Sequence, residues 1–163
     1  MTSSSSVPKL VTLAEAARIS EEMAEAGRTL VLTNGCFDLL HVGHTRYLQA
    51  ARALGDALLV AVNGDESVRQ LKGERRPINP ECDRAEVLAA LSCIDYVTIF
   101  PSVRATDVIR QVRPQAYAKG GDYTPESLYW EEREALVNAG TRIHILPLQP
   151  GKSTTATIER WSR

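Results

Sequence analysis

Cysteine, histidine and large aromatic side chains are scarce in this chain: three Cys, three His, two Trp and two Phe among 163 residues. Cys36, Cys82 and Cys93 are odd in number and irregularly spaced, so no disulfide framework is implied. The fold must rest on an ordinary apolar core, for which the chain is long enough. An excess of one charge is also missing. Lys and Arg number 19 against 20 Asp and Glu, a net charge of −1. No basic run marks a nucleic-acid partner bound through its backbone. No apolar run approaches membrane-spanning length. The opening MTSSSSVPKL has neither the basic head nor the apolar centre of a signal peptide. What remains is an ordinary soluble composition, 44% hydrophobic and 24% charged, with the cytoplasm as the default compartment. Residues 1–9 read as a disordered lead-in and 10–163 as a single domain. The sequence allows a homodimer.

Apolar patterning predicts strands that alternate with helices. A helix is expected from Leu13 to Ala26, stopped by Gly27. Short apolar runs at Thr29–Thr33, Ala57–Asn63, Asp95–Phe100, Gln115–Lys119 and Thr141–Leu148 read as buried strands. Helices are expected from about His44 to Leu54, with Tyr47, Leu48, Ala51 and Leu54 on one face, and over Asp65–Leu71. Further helices are expected over Arg84–Ser92, with Val87, Leu88 and Leu91 inward, over Thr106–Val112 and over Pro125–Ala139. A last helix begins at 153, with Ser153 or Thr154 as N-cap. Lys72 to Asp83 reads as a polar, mobile loop. Strands apolar on both faces and separated by helices imply a Rossmann-like α/β/α sandwich with a mainly parallel sheet of about five strands. Ligands of such sheets bind beyond the carboxyl ends of the strands, where strand order reverses. The loops that matter therefore begin at Asn34, Asn63, Pro101, Lys119 and Leu148.

Chemistry concentrates in the first of these loops, where TNGCFDLLHVGHTRYL holds two of the three histidines. His41 and His44 flank Gly43 at the expected start of a helix, where backbone N–H groups and the dipole attract anions. A glycine there lets a phosphate approach the backbone while two imidazoles reach it. Two other readings compete. The histidines could be incidental to a capped helix. Cys36, His41 and His44, with Asp38, could hold zinc, although zinc ligands usually come as pairs from separate elements. Further donors lie in other loops: Lys72, Arg84 at a helix start, and Ser153, Thr154 and Thr155 at the start of the last helix. Asp122 follows Gly120 and Gly121, a turn able to come close to a ligand. Asn63 ends the second strand. His144 alternates with Ile143 and Ile145 and reads as an outward strand residue.

The stretch TNGCFDLLHVGH, followed in order by RPINPECDRAEVLAAL, DYVTIF, KGGDYTP and STTATIER, resembles the HxGH nucleotidyltransferase superfamily. Within it, the chain is most similar to adenylyltransferases that make ADP-heptose from D-glycero-β-D-manno-heptose 1-phosphate and ATP, in their stand-alone rather than kinase-fused form. The resemblance covers nearly the whole chain from about Leu10. It implies ATP and a sugar 1-phosphate as substrates, Mg²⁺ carried by the ATP phosphates with no protein ligand, and pyrophosphate release. It implies His41, His44 and Lys72 as catalytic residues. Asn34, Gly35, Cys36, Phe37, Gly43, Arg84, Gly121, Asp122 and the hydroxyls of 153–155 would bind nucleotide. Asp38, Asn63 and Lys72 would face the sugar phosphate. The chain departs from the family in three places. PSVRATD stands where an acidic DEDTP-like loop is usual, SLYWEEREAL replaces a run of small residues, and Lys152 adds a cation beside the hydroxyls. A cytidylyltransferase acting on glycerol 3-phosphate or another alcohol phosphate, and a non-catalytic nucleotide-binding regulator, are the alternatives.

Overall fold

A computed structural model describes residues 8–148 and 150–161. Most of the expected lead-in, residues 1–7, lies outside the described residues. Lys9 does not continue it: its carbonyl accepts from Val97 N–H at 2.7 Å, and Val11 N–H donates to Val97 O at 2.9 Å. This segment covers the open edge of the sheet.

Five parallel strands form one sheet: β1 (Leu30–Gly35), β2 (Ala57–Asn63), β3 (Tyr96–Phe100), β4 (Ala116–Gly120) and β5 (Arg142–Leu146). Their order is β3-β2-β1-β4-β5, so the order reverses between β1 and β4. The described helices are α1 (Leu13–Glu25), α2 (Val42–Arg52), α3 (Asp65–Lys72), α4 (Glu81–Ala89), α5 (Thr106–Val112), α6 (Trp130–Asn138) and α7 (Thr154–Trp161). No helix among the described residues is long and apolar enough to cross a membrane.

The two-residue side-chain period of the strands divides the core. Leu30, Leu32, Leu59 and Tyr117 face one layer, with Ile19 and Met23 of α1, Ile109 of α5 and Leu136 of α6. Val31, Leu58, Val60 and Ala118 face the other, with Leu48 of α2 and Leu88 of α4. This is the three-layer parallel architecture that the alternation of elements predicts.

The helix boundaries differ where polar residues begin a helix. α2 starts at Val42, with His41 as its N-cap. α3 extends to Lys72, so that lysine ends a helix rather than opening a loop, and Gly73 closes it at φ 101°. α4 starts at Glu81, with Glu81 and Asp83 in its first turn. Acidic residues at a helix N-terminus complement the dipole, and a reading by apolar period passes over them. Val87 points outward, 52% exposed. The helix expected over Pro125–Ala139 is broken into a 3₁₀ turn, Pro125–Ser127, and α6. Leu128 takes an extended conformation between them and enters the core.

Gly55 turns the chain from α2 into β2, against the start of β1. A Cβ there would lie 2.7 Å from Thr29 O and 2.8 Å from Val31 Cγ2. At Gly140, φ is +69° and a Cβ would meet nothing within 4 Å. We expect Gly55→Ala to destabilise by about 2–3 kcal/mol through overpacking, against about 1 kcal/mol for Gly140→Ala from backbone strain alone. Urea unfolding of both variants checks the order, and equal losses would contradict it.

Candidate active site

The carboxyl ends of the strands surround a cavity of about 530 Å³, lined by the β1–α2 loop, the starts of α2 and α7, and the loops after β2, β3 and β4. A wider groove of about 940 Å³ lies between α1 and residues 111–115, at the other ends of the strands. Three of its arginines are engaged locally: Arg18 with Glu22, Arg113 with Asn138 O and Arg142 with Thr29 Oγ1. All three thiols and all three histidines lie outside that groove, which sets it apart from the cavity.

The start of α2 is capped by its own histidines. Gly43 N–H donates to His41 Nδ1 at 3.1 Å, and His41 N–H donates to His44 Nδ1 at 3.3 Å. The rings stack at 3.9 Å between centroids, and Phe37, at φ 48°, tilts against His44. A backbone N–H can only donate, so each Nδ1 must carry a lone pair. In the neutral ring the proton then sits on Nε2. Both imidazoles line the cavity as Nε2–H donors. Protonation would have to occur at Nδ1 and would break the cap. Burial, followed by the neighbouring His41, holds the His44 pKa down to about 4. Burial and Lys152 lower that of His41.

Gly43 serves a different purpose from the one expected. Its N–H is taken by His41, so the amide is not open to a phosphate. A Cβ would strike His41 Cε1 at 2.8 Å and approach Lys152 Cβ at 3.2 Å. The glycine is needed because an imidazole folds over it. Ser153 Oγ caps α7 by accepting from Ala156 N–H at 3.0 Å, and Thr154 Oγ1 donates to Leu39 O at 2.9 Å. The Ser153 hydroxyl proton and the exposed Thr155 side chain remain at the cavity wall, beside Lys152.

Several expected ligand residues turn inward. Both Asp38 oxygens are occupied by Arg76 Nε, Ile78 N–H and Asn79 N–H, at 2.7–3.0 Å. Burial works to raise its pKa, but the Asn79 and Ile78 amides and Arg76 outweigh it and hold the carboxyl below the usual range. Asp38 therefore anchors the loop between α3 and α4, which is tied down rather than loose, and its carboxylate is not free for a sugar hydroxyl. Arg84 is fully buried. It donates to Asn79 O, Cys36 O and Asp65 Oδ1 at 2.6–2.9 Å, and so joins the β1 loop to α3 and α4 instead of reaching a nucleotide. The Asn63 amide donates to Ser67 Oγ, Ser102 O and Val103 O at 3.2–3.4 Å. It fastens the loop after β3. Gly121 and Asp122 do not line the cavity; Lys119, Gly120 and Tyr123 form that wall. The Asn34 side chain accepts from Tyr117 OH at 2.7 Å.

Asn34, Gly35, Cys36, Phe37, His41, His44, Lys72 and residues 153–155 are thus brought together as the sequence suggests. Burial raises the Cys36 thiol pKa, while Lys72 and then Arg84 oppose it. Among the described residues no group of three or more His, Cys, Asp or Glu is placed to hold a metal. Sequence reasoning missed Arg104, Lys119 and Glu132 in the cavity wall. A basic residue in the loop after β3 and another near the end of β4 were the available signal.

A family model described as cytidylyltransferase-like matches residues 32–160. Bifunctional protein HldE of Pelobacter propionicus is 52% identical over 134 residues, which are 82% of this chain and 27% of that protein. Bifunctional protein HldE of Geobacter metallireducens is 45% identical over 157 residues, 96% of this chain and 32% of that protein. The chain therefore spans less than a third of the length of these curated relatives. The crystal structure of a lipopolysaccharide core biosynthesis protein from Thermoplasma volcanium is similar at TM-score 0.62 and 25% identity, covering 76% of this chain and 98% of that one. Pantoate-beta-alanine ligase from Francisella tularensis shares the fold alone, at TM-score 0.58 and 11% identity over 91% of this chain and 69% of that one.

The histidine cap makes folding pH-dependent. His44 binds its proton more weakly in the folded chain, near 4, than at its ordinary 6.5. Its contribution to stability is complete above the unfolded value and is lost as pH falls toward the folded one. The expected loss near pH 5 is about 1–2 kcal/mol. Urea unfolding of the wild type and His44→Gln between about pH 7 and pH 5 checks it. Identical pH slopes would show that His44 titrates normally.

Proposed function

The chain belongs to the cytidylyltransferase-like family, and we propose that its reaction is transfer of AMP from ATP to a sugar 1-phosphate, D-glycero-β-D-manno-heptose 1-phosphate in particular. The product is ADP-heptose, with release of pyrophosphate. The observation that carries this reading is the pair of Nε2–H donors fixed by the α2 cap, facing the start of α7 across one cavity. The choice of heptose rests on the RPINPECDR and KGGDYTP segments and on the HldE relatives.

A sugar phosphate is largely ionised at neutral pH, its second pKa being about 6, so its oxygen attacks without a general base. The new bond joins that oxygen to the α-phosphorus. The bond from the α-phosphorus to the bridging oxygen breaks, and pyrophosphate leaves with the electron pair. The protein's part is alignment and neutralisation of the departing charge. His41 and His44 donate to phosphate oxygens. Lys152, the Ser153 hydroxyl and Thr155 hold the triphosphate at the α7 start. Lys72 reaches across from the end of α3. Magnesium bound with ATP would supply further neutralisation of phosphate charge; the wall carboxylates of Asp38 and Glu132 are both engaged by protein donors.

Pyrophosphate release measured with ATP or CTP, against heptose 1-phosphate or glycerol 3-phosphate, tests the assignment. ATP with heptose 1-phosphate should exceed every other pair by at least about tenfold, equivalent to ~1.4 kcal/mol in barrier. Equal or faster turnover with CTP would move the chain to the alcohol-phosphate cytidylyltransferases. His44→Ala should lower turnover by about 10²–10³ while costing about 1 kcal/mol of stability through the lost cap. His144→Ala, in β5 and away from the cavity, should leave turnover intact. Loss of activity that follows loss of fold in His44→Ala would assign the histidine to the cap alone.

A further inference from the structure

We propose that Arg104 is the acceptor-binding cation of this site: its guanidinium grips the phosphate of the acceptor and so determines affinity for that substrate. The inference rests on the phosphate-acceptor chemistry proposed above, and it deepens that reading by naming the residue.

The cavity wall contains five cationic side chains. Arg76 is paired with Asp38 at 2.7 Å. Lys152 stands beside the α2 start, its Cβ 3.2 Å from where a Gly43 Cβ would lie, and Lys72 ends α3. Lys119 lies over the Tyr123 ring at 5.3 Å. Arg104 comes from the loop between β3 and α5, and its guanidinium lies on Tyr129 at the start of α6, in the layer of α1, α5 and α6. α2 packs in the other layer, and Thr154 Oγ1 joins the α7 start to Leu39 O in the β1–α2 loop. The starts of α2 and α7 and the Arg104 guanidinium therefore reach the cavity from the two layers on either side of the sheet. In-line displacement places the attacking phosphate opposite the departing pyrophosphate, so the acceptor needs its own cation on the α5–α6 side.

Of the three residues expected to meet the acceptor, Asp38 and Asn63 are occupied, and Lys72 ends α3 in the other part of the wall. Asp38 is closed off by the 76–79 loop, and the Asn63 amide is held by Ser102 and Val103 carbonyls. Those same bonds fix the backbone before Arg104. The buried Glu132 carboxylate accepts from Ala105 N–H at 2.9 Å and fixes the backbone after it. The guanidinium lies 4.3 Å from the centroid of the Tyr129 ring. A ring face orients an arginine head without using any of its five N–H donors. Among the described residues no carboxylate or carbonyl engages those donors. Arg104 is thus a positioned fork with its hydrogen-bonding capacity open, the geometry that suits bidentate contact with phosphate. Glu132, Asn63 and Tyr129 are positioning residues.

Titration of the acceptor phosphate and of an unreactive ATP analogue, alongside steady-state kinetics, tests this in wild type, Arg104→Gln, Arg104→Lys and Tyr129→Leu. For Arg104→Gln the acceptor dissociation constant and KM should rise about 10- to 100-fold, the range for one charge-assisted contact. The nucleotide constants and the melting temperature should stay near wild type. Arg104→Lys should recover part of the loss, and Tyr129→Leu should weaken the acceptor less than Arg104→Gln does. Unchanged acceptor affinity in Arg104→Gln, or an equal loss for the nucleotide, overturns the inference. If the wild type prefers CTP and glycerol 3-phosphate, the sugar assignment falls, and Arg104 is judged by the same ratios on that acceptor.

Discussion

The donors of the cavity depend on how the first turn of α2 is satisfied. A helix start leaves N–H groups without intrahelical partners, and a serine or aspartate would be the ordinary remedy. Here two imidazoles accept those N–H groups through Nδ1, which fixes the proton on Nε2. Each ring passes a donor from the backbone outward by the width of an imidazole, and the helix dipole polarises both. Charged rings would strip the cap, and stacked rings 3.9 Å apart would repel if both were charged. The cap and burial therefore keep His44 a neutral donor across the pH range in which an exposed histidine would titrate, and they shift His41 in the same direction. A capped helix and a pair of cavity-facing imidazoles are one arrangement, so the cap does not count against the phosphate reading of HVGH.

A second constraint holds the surrounding loops. Asp38 collects two amides and one guanidinium from residues 76–79, while Arg84 collects two carbonyls and one carboxylate from three separate segments. Buried charges are costly, and such networks stabilise only when their members are satisfied together. Here every charged end has partners, and the result is a fixed relation between the β1 loop, α3 and α4. Lys72, at the end of α3, is carried into the cavity by that relation.

The sheet, its parallel order and the location of the site at its carboxyl edge were legible from apolar periodicity, because burial on both faces writes itself into the strands. Helix starts were less legible: Glu81, Asp83 and His41 are polar, and polar residues begin helices as often as they line loops. Site residues read from hydrogen-bonding capacity alone divided in two. His41, His44, Lys72 and Ser153 face the cavity. Asp38, Asn63 and Arg84 have the same capacity but turn it toward the protein. A sequence gives the donors and acceptors and does not say which of them satisfy each other. Arg104 was hidden for the converse reason. Its value comes from Glu132, Asn63 and Tyr129, which meet it only in the folded chain.

This division of polar groups sets the sign of the cavity. Asp38 is paired with Arg76 and the buried Glu132 accepts from Ala105 N–H, while Lys72, Arg104, Lys119 and Lys152 face the space with no ion-pair partner among the described residues. Like charges gathered in a concave, partly desolvated wall raise the free energy of the empty site. An anionic ligand relieves that repulsion and binds the folded chain alone, so it stabilises the fold by mass action. In the proposed reaction, ATP at the α2 and α7 starts would relieve one side of the cavity and the acceptor phosphate the other. Each ligand also brings negative charge that opposes the other, and the cations between them screen this. Removing a cation would therefore weaken its own ligand and also increase the repulsion between the two. In the proposed reaction the positive wall is what would let two anions approach within bonding distance.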